Sequence, residues 1–184
     1  LKGIQQERTI ADACRQTVSG ETIVDMLGLR LLIGSGGVLS HAPRRSQAAH
    51  MLIDAFQPEG VTELAVDSIF MMPHLGVLAE LLPEAAVEIF YKDCLIHLGT
   101  VVAPVGPFKP GRFCMSVAIE GGPSVDLRWG DFERIPPDGR KSWRIEISPA
   151  RRADVGAGPG RALEDGITPG EVGLILDCRG RPLA

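Results

Sequence analysis

Glycines placed directly after an apolar, strand-length run let a backbone close on a ligand and take conformations that a Cβ opposes. The chain has one such place: Leu29-Arg30-Leu31-Leu32-Ile33 runs into Gly34-Ser35-Gly36-Gly37. Strand ends of open α/β sheets are where ligands bind, which makes Gly34, Ser35, Gly36 and Gly37 candidate nucleotide contacts. The spacing is not a dinucleotide fingerprint, because Leu39 stands where the third glycine belongs, and no Gly-Lys-Ser/Thr follows to make a Walker A loop. Taken alone, the residues favour a plain glycine turn over a ligand loop.

A second candidate segment is Asp67-Ser68-Ile69-Phe70-Met71-Met72-Pro73-His74-Leu75-Gly76, after one apolar run and before another. Asp67 sits where a strand ends and is the candidate functional carboxylate. Phe70, Met71 and Met72 read as core or interface filler. Pro73 opens a helix, and Gly76 within it marks either the close approach of a ligand or a simple helix crossing, since glycine there costs about 1 kcal/mol of helix propensity. Ser40-His41-Ala42-Pro43-Arg44-Arg45-Ser46 places a histidine and two arginines near the glycine loop; as a solvated loop, it would use Ser40 or Ser46 to tune a helix start. His50 and His74 are lone histidines in helical context, and His97 is expected near a helix end. No metal site is expected from them. Asp154-Val155-Gly156-Ala157-Gly158-Pro159-Gly160-Arg161 could form a nest of backbone amides, but Pro159 interrupts the donors and a structural loop is the stronger reading. Asp126, Asp131, Glu133 and Asp138 lack calcium-loop spacing. No nucleophile elbow and no local Cys/His pairing is present, so no catalytic residue is assigned.

These residues need elements to hold them. A weak helix is expected over Ile10 to Val18, a short one near Glu21 to Leu27, and a strand over Leu29 to Ile33. A helix follows Pro43 and runs through Phe56, with Ala48, Met51, Leu52 and Ala55 on one face. Val61 to Val66 is a strand, Pro73 to Leu82 a helix, and Pro83-Glu84 opens another that carries Ala86, Val87, Phe90, Cys94 and Leu98. The alternation implies a parallel or mixed sheet covered by helices, an α/β class. Beyond it come short extended runs at Arg112 to Ile119, Val125 to Trp129, Ser142 to Ile147 and Val172 to Asp177, separated by turns. Lys141 to Ile147 alternates polar and apolar as a half-buried strand does.

Composition divides the chain in the same place. Of the 184 residues, positions 1–108 carry 7 basic and 12 acidic groups, whereas the remainder carries 12 and 11. The prolines and glycines of Ala103 to Gly111 break any helix or central strand, so the expected domains are 1–106 and a β-rich 107–184. The overall formal charge of -4 predicts no nucleic-acid surface. The 45% hydrophobic content excludes wholesale disorder. No run approaches the roughly 20 apolar residues that span a bilayer. The four cysteines, Cys14, Cys94, Cys114 and Cys178, are too dispersed for a metal knuckle and are expected reduced and in the core, which points to the cytoplasm. The start at Leu1-Lys2-Gly3 reads as the interior of a longer protein.

Leu32-Ile33-Gly34-Ser35-Gly36-Gly37-Val38-Leu39-Ser40-His41-Ala42-Pro43 resembles the glutamate mutase accessory family called MutL or GlmL, which is unrelated to the mismatch-repair protein of the same short name. The likeness continues through Phe56 to Thr62, Asp67 to Leu78 and Asp93 to Ile96, and resumes at Asp154 to Gly160 and Leu176 to Leu183. The resemblance implies an actin-like, ribonuclease H-like nucleotide-binding subdomain of the sugar kinase, Hsp70 and actin class, followed by a β-rich domain. It implies ATP or ADP with magnesium in the intact protein. The partner it implies is a coenzyme-B12-dependent carbon-skeleton mutase that the protein assists or reactivates. Gly34 to Gly37 would lie against the adenosine, with Pro73 to Val77 nearby. The phosphate hairpins and magnesium carboxylates would lie upstream, so this piece alone is expected to be inactive. A noncatalytic scaffold that keeps the fold, and a small-molecule kinase of the same fold, are the alternatives.

Overall fold

The computed structural model describes residues 25–183. The helix expected over Ile10 to Val18 and Cys14 lie outside the described residues, as does most of the piece near Glu21 to Leu27. From Asp25 onward that piece is a turn.

Two sheets and one long helix make the layers. The first sheet has the order β1 (Leu31–Gly34), β2 (Gly60–Asp67), β3 (Leu95–Ala103), β9 (Gly173–Asp177), β6 (Phe132–Ile135). It is mixed. β1 runs parallel to β2, with Ile33 opposite Ala65, and β3 runs parallel to β9, with Val101 opposite Ile175. β2 and β3 are antiparallel, with a bulge between Leu64 and Ala65, and β6 is antiparallel to β9. The second sheet, order β5 (Ser124–Arg128), β4 (Phe113–Ile119), β7 (Trp143–Pro149), β8 (Leu163–Ile167), has antiparallel pairs throughout.

Side-chain alternation along the first sheet feeds two cores. Leu64, Val66, Val101 and Ile175 pack with Leu52 and Ile53 of α2 (Arg45–Phe56) on one face. Val61, Val102, Leu174 and Leu176 pack on the other face, with Val117, Leu127, Ile145 and Ile147 of the second sheet. The first sheet is therefore covered on both sides, and its central strands are buried nearly end to end. In β7, Trp143, Ile145 and Ile147 are buried while Arg144 and Glu146 are exposed, the alternation that its sequence predicts.

A mixed α/β class with helix-covered sheet is what the structure has. The composition change at Ala103 to Gly111 falls in the link after β3, while β6 and β9 from beyond that link complete the first sheet. Three other expectations require correction. The helix opening at Pro83 does not reach Leu98: α4 (Pro83–Ile89) passes through a π-helical turn (Phe90–Cys94) into β3, so His97 lies on a strand, three residues past the helix end. Of the core or interface reading of Phe70 and Met72, the core half is excluded, because both side chains are exposed. β6 and β8 were not expected as strands. Cys94, Cys114 and Cys178 are buried free thiols, as expected. Among the described residues, no helix is long and apolar enough to cross a membrane.

Candidate functional site

β1 and β2 lie side by side and parallel, so their C-terminal ends emerge together. This brings the two candidate segments into one place. Ser35 leaves β1 and donates its hydroxyl to Asp67 Oδ2 at 3.2 Å, and the Ser40 hydroxyl donates to the Asp67 backbone oxygen at 2.7 Å. Ser40 ends α1 (Gly37–Ser40), a single turn, so its role is to tie that turn to the end of β2 and not to start α2. The α2 start is held instead by Gln47, whose Oε1 accepts from the Arg44 backbone N–H at 3.2 Å.

Asp67 is fully buried, and its carboxylate is the hub. Beyond Ser35, Oδ1 accepts from the Met71 N–H at 3.1 Å and the Ile69 N–H at 3.4 Å, and Oδ2 accepts from the Met72 N–H at 3.1 Å. These donors belong to the turn that opens α3 (Met72–Ala79), so the carboxylate caps that helix from five residues upstream. Burial works to raise the Asp67 pKa, but the backbone N–H groups and the Ser35 hydroxyl outweigh it and hold the carboxyl below its ordinary range. The group stays ionised at neutral pH. Within the capped turn Phe70 takes a positive φ of 57°, unusual for an aromatic residue, and its ring points to solvent.

The glycines of the loop have separate reasons to be glycine. A Cβ on Gly34 would meet Leu39 Cδ1 at 2.5 Å and Leu52 Cδ2 at 2.8 Å, so Gly34 is required by packing under α2. Gly36 has a φ of 119°, a conformation that L side chains rarely adopt. Gly37 has neither constraint, and a Cβ on Gly36, Gly37 or Gly76 would meet nothing within 4 Å. Among the described residues no helix crosses at Gly76. Gly36, Gly37 and Gly76 therefore border open space, while Pro73 is exposed in the first turn of α3.

The arginines beside the loop divide. Arg44 is exposed, whereas Arg45 donates to the Ser40 carbonyl at 3.0 Å and lies 3.4 Å from Glu171. Arg45 is thus a bracket between α1, α2 and the turn before β9. His41 and His74 are exposed, and His50 packs its ring 5.0 Å from that of Phe132. Among the described residues, no group of three or more His, Cys, Asp or Glu is arranged to hold a metal ion. In the Asp154 to Gly160 loop, Asp154 Oδ1 accepts from the Gly156 and Gly158 N–H groups at 2.8 and 2.9 Å, which uses the amides that a nest would offer.

Two constellations were not read from the sequence. His97 pairs with Glu63 across the β2–β3 ladder. At the end of β9, fully buried Asp177 lies 2.9 Å from both Arg179 and Arg181, and Arg179 reaches on to Asp54 of α2 at 2.9 Å. An acid followed at two and four residues by arginines, Asp177-Cys178-Arg179-Gly180-Arg181, was the available signal for the second.

No match was found among curated proteins, and none among solved structures. A family model described as "MutL protein" matches residues 4–94, a span that ends before β3 and holds the glycine loop, Asp67, Pro73 and Gly76.

Proposed function

We propose that this chain is part of a MutL-type accessory protein that acts on a coenzyme-B12-dependent carbon-skeleton mutase, and that the joined ends of β1 and β2 form the adenosine side of its ATP site. One observation carries the reading. The Ser35–Asp67 hydrogen bond holds the glycine loop against the α3 start inside the span that resembles this family. Gly36 and Gly37 would admit the base and ribose, because neither presents a Cβ and the space beside them is open. Gly34 and Ser35 fix the path of the loop, and Asp67 fixes the α3 start, where Pro73 and Gly76 would take the other side of the nucleotide. Magnesium-bound ATP would supply the free energy of binding and hydrolysis in the intact protein. The contribution of this chain is a rigid ledge, and the mutase would respond to the population shift that nucleotide binding produces between two lobe arrangements.

A scaffold reading is favoured by a different observation: all acceptor positions of Asp67 that face its turn are used by the chain itself. Calorimetric titration with ATP and ADP in magnesium, on this chain and on a longer chain with the upstream residues, separates the two. Binding by the longer chain that Gly37→Trp abolishes supports the nucleotide site. Silence from both folded chains supports the scaffold.

A further inference from the structure

The hairpin formed by α3 and α4 buries few of its side chains. Leu75 is the one buried residue of α3 and Ala86 the one buried residue of α4. Around them, Val77, Leu81, Leu82, Val87 and Tyr91 are between 54% and 81% exposed. Isolated exposed apolar residues are ordinary, but five in fifteen consecutive positions is a density that points to an interaction surface.

Charge selects the occupant. Glu80, Glu84 and Glu88 are exposed and lie between the apolar residues in sequence; Glu84, Val87 and Glu88 share one face of α4 by helical spacing. None of the three glutamates forms an ion pair within the described residues. Asp93 adds a fourth exposed acid, and Lys92 is the single lysine or arginine from Ile69 through Cys94. A second copy docked through a two-fold axis would set glutamate against glutamate. An anionic lipid surface would repel the same groups.

We propose that the α3–α4 face docks an amphipathic helix of a protein partner, with an apolar stripe seated on Leu81, Leu82, Val87 and Tyr91 and lysines or arginines flanking it to meet Glu80, Glu84 and Glu88. The proposal does not rest on the nucleotide reading, since its seat, Leu81 to Tyr91, uses none of the residues assigned to that site. Helix-on-apolar-face recognition gives the affinity, and the glutamates give partner choice and orientation.

The test titrates the full chain with a fluorescent amphipathic peptide of leucine and lysine, against a leucine and glutamate peptide of equal length. The lysine peptide is expected to bind and the glutamate peptide to bind at least about tenfold more weakly, about 1.4 kcal/mol. The double variant Glu84→Lys/Glu88→Lys is expected to reverse that order, and Leu81→Ser/Val87→Ser to weaken both peptides, while Glu133→Lys on β6 changes neither. These side chains are exposed, so each variant keeps its fold, checked by circular dichroism. Equal binding of both peptides, no binding, or loss with Glu133→Lys overturns the proposal. So does a dimer in sedimentation that Leu81→Asp dissolves, because it assigns the face to a second copy.

Discussion

The Ser35 hydroxyl lies 3.2 Å from Asp67 Oδ2, and this bond fastens the loop after β1 to the turn after β2. Its consequence is that the loop and the α3 start move together. A change at one should be felt at the other, and the three loop glycines offer a graded way to see it.

Alanine at Gly34, Gly36 and Gly37 should give three different outcomes. Gly34→Ala drives a methyl into Leu39 and Leu52 and should cost about 1–3 kcal/mol by overpacking. Gly36→Ala has open space but a φ of 119°, so strain alone should cost about 1–2 kcal/mol. Gly37→Ala meets neither obstacle and should stay within about 0.5 kcal/mol of the parent. Urea denaturation measures all three, and Gly34→Ala should recover in part when Leu39 is also shortened to alanine. A costly Gly37→Ala would contradict the open space beside it.

Asp67 should make stability depend on acid. Its folded-state pKa lies below the unfolded value of about 3.9, so its contribution is complete above that value and is lost as pH falls through the folded pKa. Asp67→Ala leaves the Ile69, Met71 and Met72 N–H groups without their acceptor and should cost about 1–3 kcal/mol at neutral pH. The gap between parent and variant, measured by denaturation, should narrow as pH is lowered below about 4. A constant gap across that range would show that the charge is not what holds the turn.

The strand ends that carry the candidate residues were more legible in the sequence than the rest of the sheet was. Gly34 to Gly37 and Asp67 stand at strand ends because a hydrophobic run stops and glycine or acid follows, and both strands are found there. The role of Asp67 was not legible, since capping depends on a turn geometry that includes a positive φ at Phe70. β3 was missed for a physical reason: Leu95–Ala103 is buried on both faces, so it lacks alternation and reads as the tail of the preceding helix. β6 and β8 failed in the opposite way. Phe132-Glu133-Arg134-Ile135 and Leu163-Glu164-Asp165-Gly166-Ile167 are short and polar, and pairing with β9 and β7 decides them. That Val77, Leu81, Leu82, Val87 and Tyr91 face outward is shown only by the fold.

The described cysteines should be silent until the chain opens. Burial pushes the Cys94 thiol up, with Asp67 and Asp93 adding to it, and Cys178 is raised first by its hydrogen bond with Cys114 and then by burial. A thiolate is the reactive form, so in a Cys14→Ser chain Ellman's reagent at neutral pH should find no fast thiol in the native state and three after unfolding. A thiol that reacts natively at the rate of free cysteine would place one of the three at the surface.

The Asp177 cluster should be the larger of the two acidic anchors. Burial works to raise its pKa, but hydrogen bonds from Arg179 and the charge of Arg181 outweigh it, so the carboxyl is held below its ordinary range. Arg181 is itself 3% exposed and also donates to the Pro58 carbonyl at 3.2 Å, which ties the chain end to the link between α2 and β2. Asp177→Asn keeps the shape and removes the charge, leaving Arg181 buried without its counterion, a change expected to cost about 3–5 kcal/mol. Asp54→Asn breaks the exposed end of the same network, where the carboxylate is 55% exposed, and should cost less than about 1 kcal/mol. Because the folded-state pKa of Asp177 is depressed, its contribution is present above about pH 4 and disappears as pH falls through that folded value. Equal losses for the two variants in guanidinium denaturation would mean that the network acts through Arg179 and Asp54 at the surface and that the buried pair with Arg181 contributes little.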